Sequence, residues 1–130
     1  MNPPVGIVLV SHSHRLAEGL RDLLAQLVPD TLPLATAGGT EDGGIGTSHD
    51  LVAAAVRRAD GGAGVVVIPD LGSAVLTART VLADLDRPQA VLVDAPFVEG
   101  AVAAAMTASA GAGLAEVVAA AHAARGADKF

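Results

Sequence analysis

The sequence predicts an α/β fold: an open, mainly parallel sheet with helices on both faces. Two continuous β-branched runs, Val5–Val10 and Val65–Ile68, carry the first part of that prediction, because unbroken apolarity marks strands covered on both sides. The second part comes from segments with helical apolar spacing that alternate with the strands, a pattern that implies parallel pairing through right-handed crossovers. The chain has 130 residues, which fits one hydrophobic core, so residues 1–130 are expected to form a single domain.

Each element has its own signal. After the Val5–Val10 strand, Leu16, Leu20, Leu23, Leu24 and Leu27 recur as the apolar stripe of a helix that Pro29 stops. Leu32–Ala37 reads as a short strand, followed by Gly38–Gly46, too rich in glycine to be regular and expected to be a mobile loop. Thr47-Ser-His-Asp50 has the T-x-x-D form of a capping box, which starts a helix at Thr47 with Leu51, Val52, Ala55, Val56 and Ala59 inward. Asp60-Gly-Gly62 ends it. Beyond the Val65–Ile68 strand, Leu71–Asp84 is the next helix, with Val75, Leu76, Leu82 and Leu85 available to the core and Pro88 barring continuation. Ala90–Val93 is a fourth strand, and the remainder is alanine-rich helix interrupted at Gly111–Gly113 and resumed through Leu114, Val117, Val118 and Ala121.

Composition excludes several function classes. Hydrophobic residues make up 52% and charged ones 17%, enough apolar material to fold and too little charge for disorder. Eight basic residues against 14 acidic ones leave a net charge of −6, and tryptophan and tyrosine are absent, so the electrostatic footprint and the stacking platforms of nucleic-acid binding are both missing. The absence of cysteine removes disulfides, thiol nucleophiles and Cys-based metal sites. The apolar runs are far shorter than a bilayer span, and no export signal opens the chain. A cytoplasmic protein without membrane contact is expected.

In open parallel sheets the ligand site lies beyond the carboxyl ends of the strands. Those ends carry SHSHR, GGTEDGGIGTS, PDLGSA and DAP. His12 leads into the first helix, and a neutral imidazole there can attack phosphorus, bind a metal or accept a proton. A helix starting near Ser13 would aim unpaired N–H groups at an anion in the same place. Asp70 ends the third strand similarly, so the two can meet, with the carboxylate fixing the tautomer of the imidazole. The plainer reading makes His12 a polar residue near a cap and Asp70 the N-cap of the following helix. Gly72 and Ser73 supply flexible backbone and a hydroxyl at a helix start, and Gly44-Ile-Gly46-Thr47 can bring N–H groups and the Thr47 hydroxyl to phosphate oxygens.

Other motifs fail their tests. The glycine loop has no lysine where a Walker loop needs one, and the first strand-to-helix turn lacks GxGxxG. His12 and His14 stand two apart and could chelate with Asp70 or Asp94, but a zinc site needs a third or fourth ligand in register, so no metal site is expected. His49 reads as a solvated first-turn residue and His122 as a surface residue near a helix C-terminus, while Arg15 and Arg79 are exposed cations of no assigned role. An aspartyl-phosphate receiver would need an acidic cluster where His12 stands.

Taken together, VGIVLVSHSHRLAEGL (5–20), GGIGTS (43–48), VVVIPDLGSA (65–74) and VDAPFVEGA (93–101) resemble the mannose-family enzyme IIA domains of the bacterial phosphotransferase system. Within that family they are similar to the phosphotransfer subunits of phosphoenolpyruvate-dependent dihydroxyacetone kinases. The resemblance implies a phosphocarrier that takes a phosphoryl group from the histidine-containing phosphocarrier protein and delivers it to ADP on the nucleotide-binding kinase subunit, with no cofactor of its own. It assigns the histidine to His12 and the aspartate to Asp70, with Ser73 and Thr47 as the phosphate-side hydroxyls, and Ser13 and Gly72 join them as phosphate-binding candidates from their places at helix starts. It also implies a homodimer, and the short tail Gly126–Phe130 gives little support for strand exchange between subunits. His14 departs from the family, which usually has serine there. A mannose-type sugar-transport IIA domain, which passes phosphate to a IIB protein, and a non-enzymatic anion-binding module are the competing readings.

Overall fold

The structure, a computed structural model, describes residues 3–86 and 89–130. Strand β1 (Gly6–Ser11) leads to α1 (His14–Ala25), β2 (Leu34–Gly38), α2 (His49–Ala59), β3 (Val65–Pro69) and α3 (Gly72–Leu85). The chain then forms β4 (Ala90–Leu92), α4 (Phe97–Ser109) and α5 (Leu114–Ala123), and ends in one 3-10 turn, Ala124–Gly126. The sheet is parallel throughout, in the order β2-β1-β3-β4. Its central strands β1 and β3 are buried along their whole length, as their unbroken apolar runs predict.

Alternation along these strands divides the core in two. Ile7, Leu9, Val66 and Ile68 pack with Leu20 and Leu24 of α1, the alanines of α4 and Val117 and Ala121 of α5. Val8, Val10, Val65 and Val67 face α2, through Val52, Ala55 and Val56, and α3, through Ala74, Ala78 and Val81. Helices therefore cover both faces. Alanine dominates the helical side of each layer, which lets the helices lie close to the branched side chains of the sheet.

Several expectations about the helices need correction. Only Leu20 and Leu24 of the predicted α1 stripe are buried, joined by Ala17, while Leu16, Leu23 and Leu27 stay nearly half exposed. The five leucines cover more than the arc that one sheet face can bury. Thr47 does not cap α2. Ser48 does, its Oγ accepting the Leu51 N–H at 3.3 Å, because a usable cap stands at either position and Thr47 is held elsewhere. Helix α3 starts at Gly72 after Leu71, without a side-chain cap, so Asp70 is not its N-cap, and Leu76 faces solvent instead of the core. The expected stop at Pro88 lies outside the described residues.

The inward and outward leucines of α1 give a direct test. Leu24→Ala is expected to cost about 2–5 kcal/mol in urea unfolding, as for a buried leucine. Leu23→Ala is expected to stay within about 0.5 kcal/mol of the parent. Similar losses in both would show that α1 is seated differently.

Candidate active site

The register of the two central strands builds the site. Val10 pairs with Pro69, and one residue further the Asp70 N–H donates to the Val10 carbonyl at 3.0 Å. Asp70 is thereby brought beside Ser11 and His12, at the carboxyl edge of the sheet. Its Oδ2 accepts the buried Ser11 hydroxyl at 2.8 Å and the His12 backbone N–H at 3.1 Å. Its Oδ1 accepts His12 Nδ1 at 2.8 Å and the Leu71 N–H at 2.7 Å.

Burial pushes the Asp70 carboxyl up, but the Ser11 hydroxyl, the His12 ring and the two backbone N–H donors outweigh it and hold the group below the ordinary carboxylate value. An ionised carboxylate can only accept hydrogen bonds, so Nδ1 of His12 carries the proton toward it and Nε2 of the neutral ring holds the free lone pair. Nε2 meets the Ser73 hydroxyl, which donates to it. The His12 side chain is 20% exposed and that of Asp70 is 9% exposed, so the ring presents one edge while its partner is shielded.

Two helix N-termini flank the imidazole. Ser13 caps α1, its Oγ accepting the Leu16 N–H at 3.2 Å, and its own N–H donates to Ser11 Oγ at 3.1 Å. The Ser13 hydroxyl is thus engaged in its helix. At α3 the Gly72 and Ser73 N–H groups have no acceptor among the described residues, and they open beside the Ser73 hydroxyl that touches Nε2. An anion there would gain both the unpaired donors and the helix dipole.

The glycine-rich segment is irregular, as its composition implies, and it is also stitched to the site. Gly39 donates to the Ser11 carbonyl at 3.0 Å and Gly46 to the His12 carbonyl at 2.9 Å. Gly46 has φ +139°, a conformation that side chains rarely adopt, and a Cβ on Gly38 would lie 2.7 Å from the Ser13 carbonyl oxygen. Within the segment Thr40 Oγ1 accepts the Gly44 N–H at 3.0 Å. Thr47 follows Gly46, and its hydroxyl lies 2.7 Å from that of Thr77 on α3.

The remaining histidines stand apart. His14 is well exposed and 4.0 Å from Glu18. His49 joins α2 to α3 through Asp84 at 2.8 Å, and His122 lies 3.2 Å from Arg125. Among the described residues no three His, Asp or Glu side chains converge as a metal site, and no helix is long and apolar enough to cross a membrane. Sequence reasoning gave no role to Ser11, although it opens the SHSHR segment at the strand end, or to Thr77, whose only signal is its place four residues after Ser73.

Residues 6–118 match the EIIA-man family, described as the PTS system fructose IIA component. The chain belongs to this family. Among its relatives, the phosphoryl donor subunit DhaM of PEP-dependent dihydroxyacetone kinase 2 from Listeria innocua is 38% identical over 105 residues, or 78% of this chain and 84% of that protein. The corresponding DhaM of Klebsiella michiganensis is 42% identical over 88% of this chain, which matches only 25% of that longer protein. The crystal structure of the unknown-function protein EF1359 superposes with a TM-score of 0.86 at 31% identity, covering 98% of both chains. The curated relatives are named as phosphoryl donor or phosphotransferase subunits, which supports a role in phosphoryl transfer.

Asp70 also sets a pH dependence. Its folded-state pKa is lowered, so its contribution to stability is present above the unfolded-state value of about 3.9 and is lost as the pH falls through the lower folded-state value. Asp70→Asn is therefore expected to flatten the acid side of the unfolding free-energy profile below about pH 4. Parallel profiles for the two proteins would mean that the carboxylate is not held as described.

Proposed function

We propose that this chain is the phosphoryl donor subunit of a phosphoenolpyruvate-dependent dihydroxyacetone kinase, carrying the phosphoryl group on Nε2 of His12. The observation that carries the reading is the Asp70–His12–Ser73 chain of contacts, which leaves a lone pair on the exposed ring nitrogen. The identity with DhaM subunits supports the pathway.

The lone pair of Nε2 attacks phosphorus on the phosphohistidine of the histidine-containing phosphocarrier protein. The donor N–P bond breaks, and its electron pair returns to the donor imidazole. The Ser73 hydroxyl occupies the approach to Nε2 at rest, so it gives way and then donates to a phosphoryl oxygen, joined by the free Gly72 and Ser73 N–H groups. Phosphorylated at Nε2 and protonated at Nδ1, the ring is cationic, and the Asp70 carboxylate offsets that charge. In the second step a terminal phosphate oxygen of ADP on the kinase subunit attacks phosphorus, and the N–P electrons return to Nε2. Positioning and charge stabilisation account for the acceleration.

The surroundings suit transfer between proteins. The nearest concavity, about 390 Å³, lies on the far side of Asp70, is lined in part by Leu71, Val75, Arg79 and Leu92, and does not include His12. Ile45, Leu71 and Leu76 are more than 60% exposed, and each belongs to a segment that borders the imidazole. A docking partner can cover them and dry the site. Cytoplasmic placement and a homodimer belong to the same reading.

Intact mass measurement after incubation with phosphoenolpyruvate, enzyme I and the histidine-containing phosphocarrier is expected to show one acid-labile phosphoryl group, absent in folded His12→Ala and discharged by the ADP-loaded kinase subunit. Labelling without discharge would indicate the sugar-transport relative. No labelling by active donors would leave an anion-binding module, and full labelling of His12→Ala would move the site, with His14 the next to test.

A further inference from the structure

Ser73 and Thr77 are four residues apart on α3, so their side chains stack on one face of that helix with Cβ atoms about 5–6 Å apart. The Ser73 hydroxyl meets Nε2 of His12, which puts Thr77 one turn further along the same face. Thr47 arrives from a different element. It is the residue after Gly46, whose N–H is fixed to the His12 carbonyl, and its hydroxyl meets that of Thr77 at 2.7 Å. Both threonines are half-buried.

Two hydroxyls bonded to each other use one O–H as donor and one oxygen as acceptor. The second O–H of the pair has no acceptor among the described residues. The pair therefore keeps a spare donor one helical turn from the Ser73 hydroxyl, which meets the ring nitrogen that, on the phosphocarrier reading, receives a group with several acceptor oxygens. A resting contact between two neutral hydroxyls is also easily exchanged for one to an anion, since hydrogen bonds to charged acceptors are about twice as strong.

We propose that Thr77 is a further positioning residue of the phosphoryl site: it holds Thr47 and the end of the glycine-rich loop against α3, and with Thr47 it supplies a hydroxyl donor to the phosphoryl group on His12. The inference rests on the phosphocarrier reading and adds to it a residue that neither the sequence motifs nor the helix-start pattern selects. No bond is made or broken covalently in this step; the Thr47–Thr77 hydrogen bond is exchanged for one from the pair to a phosphoryl oxygen.

The test uses the full chain with Thr77→Val, which keeps the shape and removes the hydroxyl, and Thr77→Ser, which restores it. The position of the phosphoryl-exchange equilibrium with the phosphorylated donor protein, and the half-life of the phosphohistidine at neutral pH, are measured beside the melting temperature of the unphosphorylated proteins. Thr77→Val is expected to shift the exchange equilibrium away from this protein by about tenfold, with Thr77→Ser within about twofold of the parent. An unchanged equilibrium and half-life in Thr77→Val, even with a lower melting temperature, would reduce the contact to a stitch in the fold and overturn the proposal. Should Thr77→Val fail to fold, Thr47→Val carries the same expected shift and the same overturning result. A parent protein that takes no phosphoryl group on His12 would sink the phosphocarrier reading itself, and this proposal with it.

Discussion

The carboxylate of Asp70 is the group on which the site depends. Four donors from two strand ends and a helix start converge on its two oxygens, and each fixes something different. The Ser11 hydroxyl and the His12 N–H tie the end of β1 to the end of β3, the Leu71 N–H sets the entry to α3, and the ring N–H decides which imidazole nitrogen carries a lone pair. Hydrogen bonds to an ionised acceptor contribute about 1.5–3 kcal/mol each. Together they can hold a charge that burial alone would drive toward its neutral form, and the lowered pKa of the group follows from that balance.

Such an arrangement needs a rigid frame, and the sheet supplies it. Strands β1 and β3 are buried on both faces and adjacent in the sheet, so the relative height of Ser11 and Asp70 is set by the β1–β3 ladder up to Val10 and Pro69 and by the Asp70 N–H that donates to the Val10 carbonyl. Ser11, fully buried at the end of an apolar strand, would be a costly place for an unpaired hydroxyl. It is satisfied twice, as donor to Asp70 and as acceptor from the Ser13 N–H. The polar cluster closes on itself and leaves Nε2 as the atom that faces outward.

Much of this was legible in the residues. Unbroken β-branched runs announce the central strands, and the rule that ligands sit beyond strand carboxyl ends leads to His12 and Asp70. Legibility failed where two side chains compete for one role. Thr47 and Ser48 both suit a helix cap, and only the contact with Thr77, 30 residues away, decides that Ser48 takes it. Leucines at Leu16, Leu23 and Leu27 fit the α1 periodicity as well as Leu20 and Leu24 do, yet the arc that meets the sheet is narrower than the apolar arc of the helix. Thr77 was invisible because a threonine in a helix carries no motif, and its meaning arises when the loop end is folded against it.

On the phosphocarrier reading, a protein of net charge −6 receives an anionic group at its surface, and the charge balance has to allow it. Interactions between exposed charges are largely screened beyond about 8 Å in physiological salt. On that reading, what a phosphoryl group would meet at Nε2 is local: unpaired N–H groups at the start of α3, the Ser73 hydroxyl, the positive end of a helix dipole and, as proposed above, the Thr47–Thr77 pair. Asp70 is the exception, a carboxylate one ring-width from the incoming anion. Its oxygens are already occupied by four donors, and its field acts chiefly on the ring proton between them. On the phosphocarrier reading, the same carboxylate favours the cationic ring that a phosphoryl group on Nε2 would create, while the N–H groups at the start of α3 would meet the phosphoryl oxygens.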